Sequence, residues 1–107
     1  MLVTYEPHVL GNSSAQLLWK KLPPERQVGT DLDAQVILYD EPRRVLEGFE
    51  KRPEILHVLV IQRGMKLSTE AQRLPDRVVL VYPDQHQTLL LLLILMEILQ
   101  DKNRKQQ

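Results

Sequence analysis

The chain reads as an α/β protein, a three-layer α/β/α sandwich around a mostly parallel sheet of four or five strands. Three observations predict this. Several short apolar runs, rich in β-branched residues, are continuous rather than alternating, the pattern of strands buried on both faces. Segments with helical spacing separate the runs, and strand alternating with helix implies parallel pairing through crossover helices. With 107 residues, 43% of them hydrophobic, the chain has material for one such core and little more.

Taken in order, Leu2-Val3-Thr4-Tyr5 is the first strand. Asn12 supplies an N-cap for a helix through Ala15, Leu17, Leu18, Trp19 and Leu22, which Pro23-Pro24 stops. Residues 24–34 are ambiguous between a loop and a short extra strand at Gln27-Val28-Gly29-Thr30. Val36-Ile37-Leu38-Tyr39 is the next strand. Asp40 and Pro42 then mark a helix start, with Val45, Leu46 and Phe49 on one face. Val58–Ile61 is another strand, followed by a shorter helix capped by Ser68, carrying Ala71 and Leu74 and stopped by Pro75. After the strand Val78–Tyr82, Asp84 with Gln87 resembles a capping box opening the final helix. No linker or solenoid-length repeat divides the chain, so residues 1–101 read as a single α/β domain and 102–107 as a polar C-terminal tail.

Lys+Arg and Asp+Glu both count 14, giving a formal net charge of +0. Nucleic acid and anionic membranes reward a basic surface, so neither is the expected partner; a protein is. The absence of cysteine excludes disulfides, thiol catalysis, Cys-type zinc sites and iron–sulfur clusters. The N-terminal residues lack the basic start and apolar stretch of a signal peptide. The apolar run Leu89–Met96 falls well short of the roughly 20 residues a membrane span needs. A cytoplasmic location is expected.

In an open parallel sheet, ligands bind beyond the carboxyl ends of the strands, near the point where strand order reverses. Here those ends carry Tyr5-Glu6-Pro7, Tyr39-Asp40-Glu41-Pro42, Gln62-Arg63-Gly64 and Tyr82-Pro83-Asp84. Two readings stand side by side. Glu6, Asp40 and Asp84 converge as oxygen ligands for Mg²⁺, which needs only one or two protein carboxylates. Alternatively, the acids cap the helices that follow the strands. Gly11-Asn12-Ser13-Ser14, ahead of the first helix, is a candidate anion loop, with an ordinary turn and N-cap as its plain alternative. His8, His57 and His86 show no metal-ligand spacing and read as structural or exposed. Trp19 reads as a core anchor.

Val3-Thr4-Tyr5-Glu6-Pro7-His8-Val9 resembles the first strand of a response-regulator receiver domain, and Asp33–Asp40 resembles the central strand bearing its phospho-accepting aspartate. The later strands, Pro83 and the final helix follow in the same order. The resemblance implies a flavodoxin- or receiver-like fold, with Asp40 at the phospho-acceptor position. It departs from the receiver pattern at three points: Glu6 lacks a second acid beside it, Gln62 stands where Ser or Thr is needed, and Tyr82 stands where Lys is needed. Without a metal and a lysine to neutralise a transferring phosphoryl group, acceptance is expected to be slow or absent. The resemblance therefore implies a pseudo-receiver.

The final helix carries Leu89-Leu90-Leu91-Leu92-Leu93-Ile94-Leu95-Met96 without interruption. At about 100° per residue such a run covers every face of the cylinder, whereas a helix flanking a sheet needs only one apolar stripe. Leu89, Leu91, Leu92, Leu95 and Met96 are the expected interface residues, within a contact segment 88–99 that serves a homodimer or a hetero-partner. The leading expectation is a non-catalytic, pseudo-receiver-like regulatory or interaction module, with no cofactor. The alternatives are a small Mg-dependent or phosphate-binding enzyme domain using the strand-end carboxylates, and an accessory subunit of a larger complex.

Overall fold

The computed structural model describes residues 1–6, 13–30, 32–61 and 78–105. Its elements are β1 (Val3–Tyr5), α1 (Ser14–Lys20), a 3₁₀ turn (Pro24–Arg26), β2 (Val36–Tyr39), α2 (Pro42–Lys51), β3 (Leu56–Val60), β4 (Val79–Val81) and α3 (His86–Lys105). The expected helix at Ser68 to Pro75 lies outside the described residues.

The four strands form one all-parallel sheet in the order β1-β2-β3-β4. Val3 pairs with Val36, Val36 with Leu56, and Val58 with Val79. A further parallel bridge joins Val3 to Gln27, with the Val28 amide donating to the Val3 carbonyl at 3.0 Å. Residues of β1 alternate in the edge their amides and carbonyls face. Leu2 and Glu6 bond towards β2, so Gln27 lies on the opposite edge. The ambiguous segment thus contributes a minimal fifth strand, and strand order reverses at β1, as in the flavodoxin-like arrangement.

Continuous apolar strands follow from having two cores. On one face Val3, Val36, Leu38, Val58, Val60 and Val81 pack with Ala15 and Leu18 of α1 and Leu89 and Leu93 of α3. On the other, Ile37, Tyr39 and Leu59 pack against Val45 of α2. Trp19 anchors α1 as expected: its indole Nε1–H donates to the Val3 carbonyl at 2.6 Å, and its ring lies 5.0 Å from that of Tyr5. Gln27 Nε2 donates to the carbonyls of Trp19 and Leu22 at 3.0 and 2.9 Å, tying the segment after the 3₁₀ turn to the end of α1.

Two helix starts differ from expectation. Ser13 rather than Asn12 is the N-cap of α1, its hydroxyl accepting from the Gln16 amide. At α3 the Gln85 carbonyl accepts from the Leu89 amide, and Gln85 Oε1 accepts from the Tyr82 amide. Gln85 therefore sits at the cap position expected of Asp84. Helix α3 continues to Lys105. Among the described residues no helix is long and apolar enough to cross a membrane.

Candidate functional site

The reversal at β1 brings the carboxyl ends of β1 and β2 together with the start of α1, where the strand-end acids were expected to converge. Each acid is drawn into a separate contact. Asp40 Oδ1 accepts from the Ala15 amide at 2.9 Å, and Oδ2 accepts from the Ser13 hydroxyl. Asp40 thus caps α1, a helix 25 residues back in the chain, and not the helix that follows it. The N-cap of α2 is Glu41, which makes no side-chain capping bond. A carboxylate favours the positive end of a helix dipole, so the anion attracted to this turn is the protein's own.

That arrangement also settles how Ser13 and Ser14 of the expected anion loop are placed. Both are buried, and the Ser13 hydroxyl accepts from Gln16 while donating to Asp40. Gly11 and Asn12 lie outside the described residues. Glu6 turns to the other side of the sheet end, where its Oε1 accepts from Arg44 Nε and pairs with Nη2. Arg44 Nη1 bonds Glu47 at 3.2 Å. The Glu6 hydrogen bond is the main reason the Arg44 guanidinium is held above its ordinary pKa.

Asp84 stands on the exposed turn before α3 and does not join the other two acids. Among the described residues no three His, Cys, Asp or Glu side chains gather as a metal-binding group. The expected convergence of Glu6, Asp40 and Asp84 on a metal is therefore corrected: α1 takes one carboxylate and Arg44 another.

Beside Glu6 a shallow groove of about 360 Å³ is lined by Ile37, Tyr39, Arg44, Gly48 and Lys51. The Tyr39 hydroxyl donates to His57 Nδ1 at 3.0 Å, both residues being buried. His57 Nε2 lies 2.8 Å from the Arg52 carbonyl. A carbonyl only accepts, so Nε2 carries the proton and Nδ1 receives the tyrosine hydrogen. His57 is structural, as its isolation in the sequence implied. It ties β3 to β2 and to the end of α2. His8 lies outside the described residues.

The exposed surface of α3 is different in kind. Leu89 and Leu93 are 0% exposed and face the sheet, while Leu91 is 62%, Leu95 57% and Leu99 59% exposed, with Ile94 and Ile98 beside them. Leu89 is therefore core and not an interface residue, because its phase on the helix points it beneath α3. Leu92 and Met96 are half-buried, and Met96 stands beside Met1, Gln35 and Leu56 at the sheet end, turned away from the exposed stripe. Ile94, Ile98 and Leu99 complete the stripe; Ile94 stands within the apolar run, and the sequence signal for Ile98 and Leu99 was the continuation of the Leu91 spacing beyond Glu97. Glu97 fixes the helix from the side: it accepts from Arg26 Nη1 at 2.6 Å and pairs with the Met1 amino group. Arg26 and that amino group hold the Glu97 carboxyl down at about 2.

Comparison with protein-family models, with curated proteins and with solved structures finds no significant match.

Proposed function

We propose that this chain is a non-catalytic, pseudo-receiver-like interaction module that works by association through the outer face of α3. The observation that carries this reading is the stripe Leu91, Ile94, Leu95, Ile98 and Leu99, exposed on the side of α3 opposite its own core. Helix α3 has 20 residues, about 30 Å of length, against about 17 Å for a five-residue strand. Its last buried apolar residue is Leu93, so the second half of the stripe reaches past the core that anchors the first. The pseudo-receiver part draws support from the reversal of strand order at β1, and from α1 and α3 sharing the face opposite α2. It also draws on Asp40 standing at the β2 end with both oxygens engaged.

The stripe exposes roughly 400 Å² of apolar side chain, within the size range of the largest patches on monomers, which are often functional. Covering that area on two molecules yields about 20 kcal/mol gross at ~25 cal/mol per Å². Ordering and rigid-body costs of about 4–15 kcal/mol leave enough for association near micromolar concentration.

Sedimentation at micromolar concentration tests the reading. The chain is expected to associate, and Leu95→Glu to abolish association while leaving the circular dichroism spectrum unchanged. A monomer at all concentrations would remove the basis for the proposal. Millimolar Mg²⁺ is expected to leave the NMR signals of Glu6 and Asp40 in place; specific shifts there would favour carboxylate chemistry instead.

A further inference from the structure

We infer that the occupant of the α3 stripe is a second copy of this chain, docked antiparallel about a two-fold axis that passes Leu95. This deepens the interaction reading and rests on it. The exposed positions Leu91, Ile94, Leu95, Ile98 and Leu99 recur at alternating steps of three and one, so they hold one face over about two and a half turns. That is the spacing with which one helix seats against another.

A two-fold contact is isologous, so the surface must match itself when reversed. Reversal about Leu95 sets Leu91 against Leu99 of the second copy and Leu92 against Ile98. Every pairing is apolar to apolar. The polar ends match as well, because Lys102 then meets Thr88, and both are exposed. Parallel docking in register would set Lys102 against its own copy, and would align the two helix dipoles side by side.

The phase of α3 is already fixed for this. Leu89 and Leu93 hold one side on the sheet and Glu97 is tied to Arg26, so the stripe cannot turn inward to find cover. Two copies of the stripe bury roughly 800 Å², most of the ~1,000 Å² a specific interface needs. The half-buried Leu92 beside the stripe adds to that area.

The chain has no cysteine, so introduced thiols report the register without interference. Leu91→Cys, Leu95→Cys and Leu99→Cys alter exposed positions, and circular dichroism checks that each variant folds. Each is oxidised with oxidised glutathione and run on a non-reducing gel, and Leu91→Cys is also mixed with Leu99→Cys after labelling one by size. The expected result is that Leu95→Cys links to itself. Leu91→Cys is expected to link to Leu99→Cys several-fold more than either links to itself. Self-linking of Leu91→Cys and of Leu99→Cys, without cross-linking between them, would overturn the antiparallel register while leaving self-association intact. A sedimenting dimer in which no pair links would overturn the choice of face. A monomer would overturn the underlying interaction reading as well.

Discussion

Gly48→Ala isolates one packing constraint on which two elements depend. In the middle of α2 an alanine should help, since Gly costs about 1 kcal/mol relative to Ala in an exposed helix interior. Here a Cβ would overlap the Tyr39 hydroxyl, lie 2.9 Å from Tyr39 Cζ and approach His57 Cε1 at 3.4 Å. The hydroxyl cannot simply retreat, because Tyr39 is buried and its hydrogen goes to His57 Nδ1. Forcing it aside costs about 1–3 kcal/mol of overpacking. Leaving Nδ1 without its donor costs about 1–3 kcal/mol more. After the helix gain is set against these, the net loss is about 1–5 kcal/mol, with Tm lower by roughly 5–25 °C for a domain of this size. Urea denaturation followed by circular dichroism measures it.

A companion variant separates the causes. Tyr39→Phe removes the atom that overlaps most, so Gly48→Ala is expected to cost less in the Tyr39→Phe background than in the parent, a coupling that a double-mutant cycle reads directly. If Gly48→Ala instead raises stability by about 1 kcal/mol, helix propensity alone governs the position and the close approach of α2 to Tyr39 is refuted. Additive losses would show that the hydroxyl is not the point of conflict.

Two other outcomes follow from the ion pairs and caps. The Glu97 carboxyl is held below its ordinary 4.5 in the folded state, so its contribution is complete above about pH 4.5 and lost as pH falls toward 2. Glu97→Gln is expected to flatten that acid limb and to cost about 1 kcal/mol at pH 7, the modest size reflecting solvent screening of a carboxylate that is 35% exposed. An unchanged acid limb would refute the pairing. Asp40→Ala removes the acceptor of the Ala15 amide at the start of α1, leaving the Ser13 N-cap, and is expected to cost about 1–2 kcal/mol and to speed hydrogen exchange at that amide. Unaltered exchange there would mean that Asp40 does not cap the helix.

How much of this was legible in the sequence depends on the range of the contact involved. Strands buried on both faces are apolar nearly throughout, so Val36–Tyr39 and Val58–Val60 announce a two-sided sheet locally. The cap on α1 is a different matter. Asp40 and Ala15 are 25 residues apart, and local rules assign an acid to the helix that follows it. Glu6 and Arg44, 38 apart, were equally hidden, so a row of strand-end acids looked like a shared site when two of them serve distant partners. Gln27 was readable only as an ambiguity, because a single bridged residue leaves no periodicity.

The phase of α3 is the most consequential thing the leucine run conceals. With apolar residues from Leu89 to Met96, turning the helix by half a circle would bury Leu91 and Leu95 in place of Leu89 and Leu93 at nearly equal hydrophobic gain. The polar residues break the tie. A half-turn would swing Thr88 toward the sheet and Glu97 away from Arg26, burying one polar group and stranding another. The observed phase predicts unequal mutational costs for chemically identical side chains. Leu89→Ala empties a fully buried position and is expected to cost about 2–5 kcal/mol. Leu91→Ala, measured at dilution where the chain is monomeric, is expected to stay within about 0.5 kcal/mol. Its effect belongs instead to association, as a weaker dimer in sedimentation. Equal losses at the two positions would place both on the same side of the helix and remove the outward stripe on which the association rests.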